Sequence, residues 1–89
     1  MLKSEFEIKN NLGLHARPAA AFVQVCNKFA SNIDIKAKNR MVNAKSIIGV
    51  LALGIANGDI VEIEIDGPDE EQALIEITEL LEVKLLEMN

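Results

Sequence analysis

Lys38-Asn39 leaves the chain two residues in which to reverse direction. Before it, Ile33, Ile35 and Ala37 alternate with Asp34, Lys36 and Lys38, the period-two pattern of a half-buried strand. After it, Arg40 to Asn43 is long enough for a short returning strand. So short a connection joins only antiparallel neighbours, because a parallel partner needs a crossover of a dozen residues or more. Asn39 can take the left-handed conformation, but the turn has no glycine, so its type stays open.

The flanking segments extend this hairpin into a domain. Residues 2 to 9 alternate, with Leu2, Ser4, Phe6 and Ile8 on one face and charged residues on the other. Ala19, Phe22, Val23, Cys26 and Phe29 recur at helical spacing, which predicts a helix from about Ala16 to Phe29. Ser46 opens a second helix, Ile47 to Leu53, which Gly54 stops. Ile60 to Asp66 is β-branched and alternating. Asp69 caps a third helix, with Gln72 completing a capping box and Leu74, Ile77, Leu81, Leu85 and Met88 as its apolar stripe. The order β-α-β-β-α-β-α predicts an α+β fold, a four-stranded antiparallel sheet with its helices on one face. Residues 1–89 make one domain with one modest core.

The second helix does not fit inside so small a core. It is apolar all round except for Gly49, yet has about two turns. Some of Ile47, Ile48, Leu51 and Ala52 must therefore face solvent, which suggests a docking surface.

Charge is unevenly placed. The net charge is −5, but residues 1 to 58 carry eight Lys/Arg against three Asp/Glu, and residues 59 to 89 one Lys against eleven acids. With three Phe and no Tyr or Trp, a base-stacking platform is not expected, so nucleic acid is not the expected partner. The basic half fits an acidic protein partner; the acidic excess also fits a plain solvated helix face. One cysteine, Cys26, allows no internal disulfide and no Cys-based metal site, and it reads as a small buried hydrophobe. The alternating N-terminus is unlike a signal peptide and no apolar run reaches membrane-spanning length, so a soluble cytoplasmic protein is expected.

The chemistry concentrates at Gly13-Leu14-His15-Ala16-Arg17-Pro18, which holds the only histidine. Proline is tolerated in a first helical turn, which places His15 at or beside the N-cap. Unpaired amides and the helix dipole make such a start an anion site, and Arg17 adds a forked cation suited to phosphate. An imidazole nitrogen can act as the nucleophile in such a setting. The residues point to a histidine that accepts a phosphoryl group and passes it on. A lone histidine with no special role is the plain alternative.

Gly13 to Ala20 resembles the active-site signature of the HPr family, histidine-containing phosphocarriers of the bacterial phosphotransferase system. Val42 to Gly54, with Lys45-Ser46-Ile47-Ile48-Gly49 inside it, is similar to that family's second signature, around a regulatory serine. The resemblance implies an open-faced β-sandwich. It implies that His15 takes phosphate from enzyme I, on Nδ1, and gives it to an enzyme IIA domain of a sugar pathway. Arg17 would stabilise the phosphate, and the helix-start amides of Ala16 and Arg17 would cradle it. Ser46 would be phosphorylated by a dedicated kinase, and a transcriptional regulator is a further implied partner. Ala20, Ile47, Ile48 and Leu51 would meet partners. No cofactor or metal is implied, nor any membrane association, and a monomer is expected. Asn39 and Ala52 depart from common family residues.

Three readings remain beside this one. Ser46 serves as a helix N-cap whether or not it is modified. A nitrogen-type regulatory phosphocarrier shares His15 and much of the fold. An α+β binding module would use His15 for nothing, whereas a self-sufficient phosphotransferase would need a nucleotide loop that the chain lacks.

Overall fold

The computed structural model describes residues 1–88. Its elements are β1 (Leu2–Glu7), α1 (Ala16–Asn27), β2 (Asn32–Ala37), β3 (Arg40–Asn43), α2 (Ile47–Ala52), β4 (Ile60–Asp66) and α3 (Glu70–Glu79). Helix α3 runs on through a π-helical turn, Leu80–Lys84, into a last stretch, α4 (Leu85–Met88). The strands form one antiparallel sheet in the order β1-β4-β2-β3.

Alternation sets the register. Ile65 lies between Leu2 of β1 and Ile33 of β2, and Ile63 between Ser4 and Ile35. A slip of one residue would turn these side chains to solvent, so the apolar face fixes the pairing. Phe6, Ile33, Ile35, Val61, Ile63 and Ile65 are buried under the helices, which contribute Phe22, Cys26, Val50, Ile77, Leu81 and Leu85. Lys3, Glu5, Glu7 and Lys36 lie exposed on the opposite, open face.

The expected hairpin is present. Lys38 and Asn39 both have left-handed backbone, φ 55° and 64°, the pair that a two-residue hairpin matched to strand twist requires. Strand β1 stops at Glu7, short of the expected residue 9. Ile8 is buried all the same, because its backbone turns aside to bond the loop before β4.

The third helix differs from expectation in two ways. Asp69 stands at its N-cap but gives it no side-chain bond. Its carboxylate reaches back to the start of β2, accepting from the amides of Ala30 (2.8 Å) and Ser31 (3.0 Å) and from the Ser31 hydroxyl. Glu70, not Gln72, is the side chain that reaches back, and it accepts from Gly67 N–H, two residues before the N-cap, at 3.1 Å. The π turn and Ala73 and Leu80, both buried, widen the contact beyond the single predicted stripe.

Cys26 is wholly buried, and burial pushes its thiol up to about 12.

Candidate functional site

The loop from Asn10 to Leu14 delivers the chain to α1. Asn10 is buried, and its side-chain amide donates to Gly13 O at 2.9 Å, while Gly13 N–H donates to Asn10 O at 3.2 Å. Gly13 has φ +62° and lies so close to the next loop that a Cβ would fall 2.3 Å from Ile55 O. No side chain fits there. Leu14 is buried and donates its N–H to Ile55 O at 3.0 Å. With Leu14 and Pro18 inside, His15, Ala16 and Arg17 are forced outside, and all three are exposed.

His15 is the N-cap of α1, with extended backbone (φ −126°, ψ 161°) and no side-chain cap bond. Its ring is thus not consumed by the helix. The next residue, Ala16, has φ +51°. A left-handed alanine costs about 1–2 kcal/mol and persists only where its surroundings over-determine it. Buried Leu14 on one side and buried Pro18 on the other do so. Nothing in the sequence signals this, because alanine has no preference for that region.

Proline also simplifies the helix start. Ala19 N–H donates to His15 O at 3.5 Å, and Pro18 has no N–H. The orphan donors are then the amides of Ala16 and Arg17, neither of which has a protein acceptor among the described residues. The first turn holds no acidic side chain, and no ion pair among the described residues engages Arg17. Two amides, a guanidinium and an imidazole therefore stand uncommitted on one exposed turn, a suitable frame for a phosphoryl group.

Helix α2 packs beside α1. Val50 is its buried anchor, whereas Ile47 and Leu51 are about two-fifths exposed and Ile48 is 78 % exposed, as the excess of apolar residues required. Ala20 on α1 is exposed too. Lys38 Nζ donates to Gly54 O at 2.7 Å and Arg40 to Ala52 O at 3.3 Å, placing cations at the negative end of α2. Ser46 caps the other end, its Oγ accepting from Gly49 N–H at 3.2 Å.

Ser46 and His15 are not brought together. Asn27, the last residue of α1, donates to Lys45 O at 3.1 Å, and Lys45 Nζ donates to Phe29 O at 2.7 Å. Ser46 therefore sits at the C-terminal end of α1 and His15 at its N-terminal end. Twelve residues separate them along the axis, about 18 Å. Two shallow depressions elsewhere, one at Pro68 and Ile75 and one at Lys38 and Ile60, involve neither residue. Among the described residues no group of three or more His, Cys, Asp or Glu side chains is placed to hold a metal ion.

A family profile described as "PTS HPr component phosphorylation site" matches residues 2–83. The chain belongs to the HPr family. It is 46 % identical over 82 residues to the phosphocarrier protein HPr of Xylella fastidiosa, covering 92 % of each chain. Its fold is similar to that of HPr from Thermoanaerobacter tengcongensis, with a TM-score of 0.93 at 47 % identity over 96 % of both chains. A structure titled as an HPr dimer from the same organism matches with a TM-score of 0.76, covering 96 % of this chain and 98 % of that one. HPr proteins are phosphocarriers, so the uncommitted donors beside His15 belong to a chain of the phosphotransferase system. No described helix is long and apolar enough to cross a membrane.

Proposed function

We propose that His15 accepts a phosphoryl group from enzyme I of the phosphotransferase system and hands it to a sugar-specific enzyme IIA domain. The carrying observation is that His15 stands exposed at the start of α1 with its ring unused by the helix. In the step, a ring nitrogen lone pair, Nδ1 by family resemblance, forms a P–N bond as the bond between phosphorus and the donor breaks. Arg17 and the amides of Ala16 and Arg17 donate hydrogen bonds to the phosphoryl oxygens, and the same groups release them when the acceptor attacks. Residues 1–89 act as one cytoplasmic, monomeric HPr-like domain that needs no metal or cofactor.

Ala20, Ile47, Ile48 and Leu51 form the apolar part of the docking face, which supports one site for both partners in turn. Ser46 is a regulatory phosphorylation site for the family's kinase/phosphorylase, and the modified form serves a transcriptional regulator. A phosphate there adds about −1.5 to −2 charge. Over about 18 Å, more than two Debye lengths at physiological salt, that charge is screened from His15. Its effect falls on the partner that covers both ends of the face.

The test is incubation with phosphoenolpyruvate and a generic enzyme I, followed by intact mass. One acid-labile phosphoryl group is expected on the wild type and none on His15→Ala, whose stability stays within about 0.5 kcal/mol because the ring is exposed. Equal labelling of that variant refutes the assignment.

A further inference from the structure

We propose that Asp59, held by Lys38, is a positioning residue for His15, acting through the loop between α2 and β4. The inference rests on the phosphocarrier reading of His15 and adds the part of the fold that aims the ring.

Strand β1 ends at Glu7 and α1 begins at Ala16. The chain between them has no regular structure of its own, and residues 54 to 59 grip it at both ends. At the near end, Ile8 N–H donates to Asp59 O at 2.9 Å and Gly58 N–H donates to Ile8 O at 2.6 Å. The Asn57 side chain donates to Lys9 O at 3.3 Å. At the far end, Leu14 N–H donates to Ile55 O at 3.0 Å, with Gly13 pressed against Ile55 and Ala56. His15 is the next residue. The position of its backbone, and the strained turn at Ala16, follow from where Ile55 lies.

The loop is held in turn by one carboxylate. Asp59 Oδ2 accepts from Ala56 N–H at 2.8 Å, which closes the loop on itself beside Ile55. Asp59 N–H donates to Ala56 O at 3.0 Å, so the two residues clasp twice. Lys38 Nζ lies 3.5 Å from Asp59 Oδ2 and also donates to Gly54 O at 2.7 Å. Lys38 thereby ties both ends of this loop to the β2–β3 hairpin, whose backbone at Lys38 and Asn39 is fixed by its turn. The path runs from hairpin to loop to His15 through hydrogen bonds and one ion pair, with no step left to bulk packing. The Ala56 amide and then Lys38 hold the Asp59 carboxyl below the usual carboxylate range, consistent with an ionised clasp.

A merely structural ion pair would change stability alone. A positioning residue must also move the ring. The experiment compares Asp59→Ala and Asp59→Asn with Glu76→Gln, which neutralises the ion pair (2.6 Å) between Glu76 of α3 and Lys28 at the end of α1, away from this loop. Three quantities are read: melting temperature, the nuclear magnetic resonance signals of the His15 ring and the Ala16 amide, and kcat and KM for phosphoryl acceptance from enzyme I. Asp59→Ala is expected to shift the His15 and Ala16 signals and to lower kcat by about tenfold, with KM changed less than about twofold, because sub-ångström misplacement acts on the chemical step. Asp59→Asn should recover much of both, since its amide oxygen still accepts from Ala56 N–H. Glu76→Gln should lower stability and leave the ring signals and kcat alone.

Unchanged ring signals in a folded Asp59→Ala overturn the proposal, as does an equal shift in Glu76→Gln. Should Asp59→Ala fail to fold, Lys38→Met, which removes both ties of Lys38, carries the same comparison, with Asp59→Asn kept as the conservative variant. The ring signals need no phosphoryl donor. A wild type that is never labelled therefore refutes the carrier reading, while the positioning of His15 by Asp59 is still decided by those signals.

Discussion

Two helix starts in this molecule meet the same electrostatic demand in opposite ways. At the start of α3, carboxylates fill it: Asp69, Glu70 and Glu71 occupy the cap and first turn. Asp69 spends its oxygens on Ala30 and Ser31, and Glu70 accepts from the Met1 amino group and from Gly67 N–H. At the start of α1 there is no acid, no capping side chain, and a proline where a third donor would be. The first start carries its own negative charge, and those carboxylates staple it to Met1, Ala30, Ser31 and Gly67. The second is left wanting an anion, at the cost of a left-handed alanine, and that deficit supports the proposed carrier role. Helix α2 lies between them, capped by a neutral hydroxyl that could become an anion.

Glycines before the two starts offer the sharpest way to break the comparison. A Cβ on Gly13 would lie 2.3 Å from Ile55 O, and one on Gly67 2.5 Å from Ser31 Oγ. Gly13→Ala and Gly67→Ala should each cost about 2–4 kcal/mol in urea unfolding. Only Gly13→Ala should also slow phosphoryl acceptance and move the His15 signals. Equal effects of both on transfer would remove the distinction.

Acid gives a smaller test. The Ser31 hydroxyl and then the Ala30 amide hold Asp69 below the usual carboxylate range, and the Met1 amino group and then Gly67 do so for Glu70. Their folded values are depressed, so their stabilisation is complete above the ordinary carboxylate values of about 4 and is lost as pH falls through and below them. The urea midpoint should fall from pH 5 to pH 3. Asp69→Asn should start lower at pH 6 and decline less steeply; an unchanged slope would mean that α3 is not stapled by charge.

The smallest effects belong to Ser46. Ser46→Ala removes a cap and should cost about 1 kcal/mol. Ser46→Asp keeps a good cap, so its stability should stay within about 0.5 kcal/mol of the wild type while transfer from enzyme I slows. An equal rate of transfer would confine Ser46 to its capping role.

Local rules made the hairpin, the Ser46 cap and the surplus of apolar residues on α2 legible in the sequence, because each is settled within a few residues. His15 and Arg17 were legible for the same reason: a proline fixes the first turn, and the turn fixes what is exposed. What escaped depends on partners far along the chain. Asp69 looks like a cap from its neighbours, yet its acceptors are engaged by residues 38 and 39 positions earlier. Gln72 fits the capping-box spacing, but the side chain that reaches back is Glu70, and it goes to Gly67 N–H ahead of the N-cap. The backbone of Ala16 is set by how Gly13 and Leu14 meet Ile55, a contact no local pattern encodes.

Cys26 has a practical consequence. A thiol raised to about 12 and sealed on the buried face of α1 does not react while the fold is closed. At pH 8 a thiol reagent would therefore report only the moments when the core opens, making the native chain its own clock for unfolding. A cysteine placed on the rim of the docking face would be the one position that reacts at once, so a single dye there could follow each partner arriving and leaving.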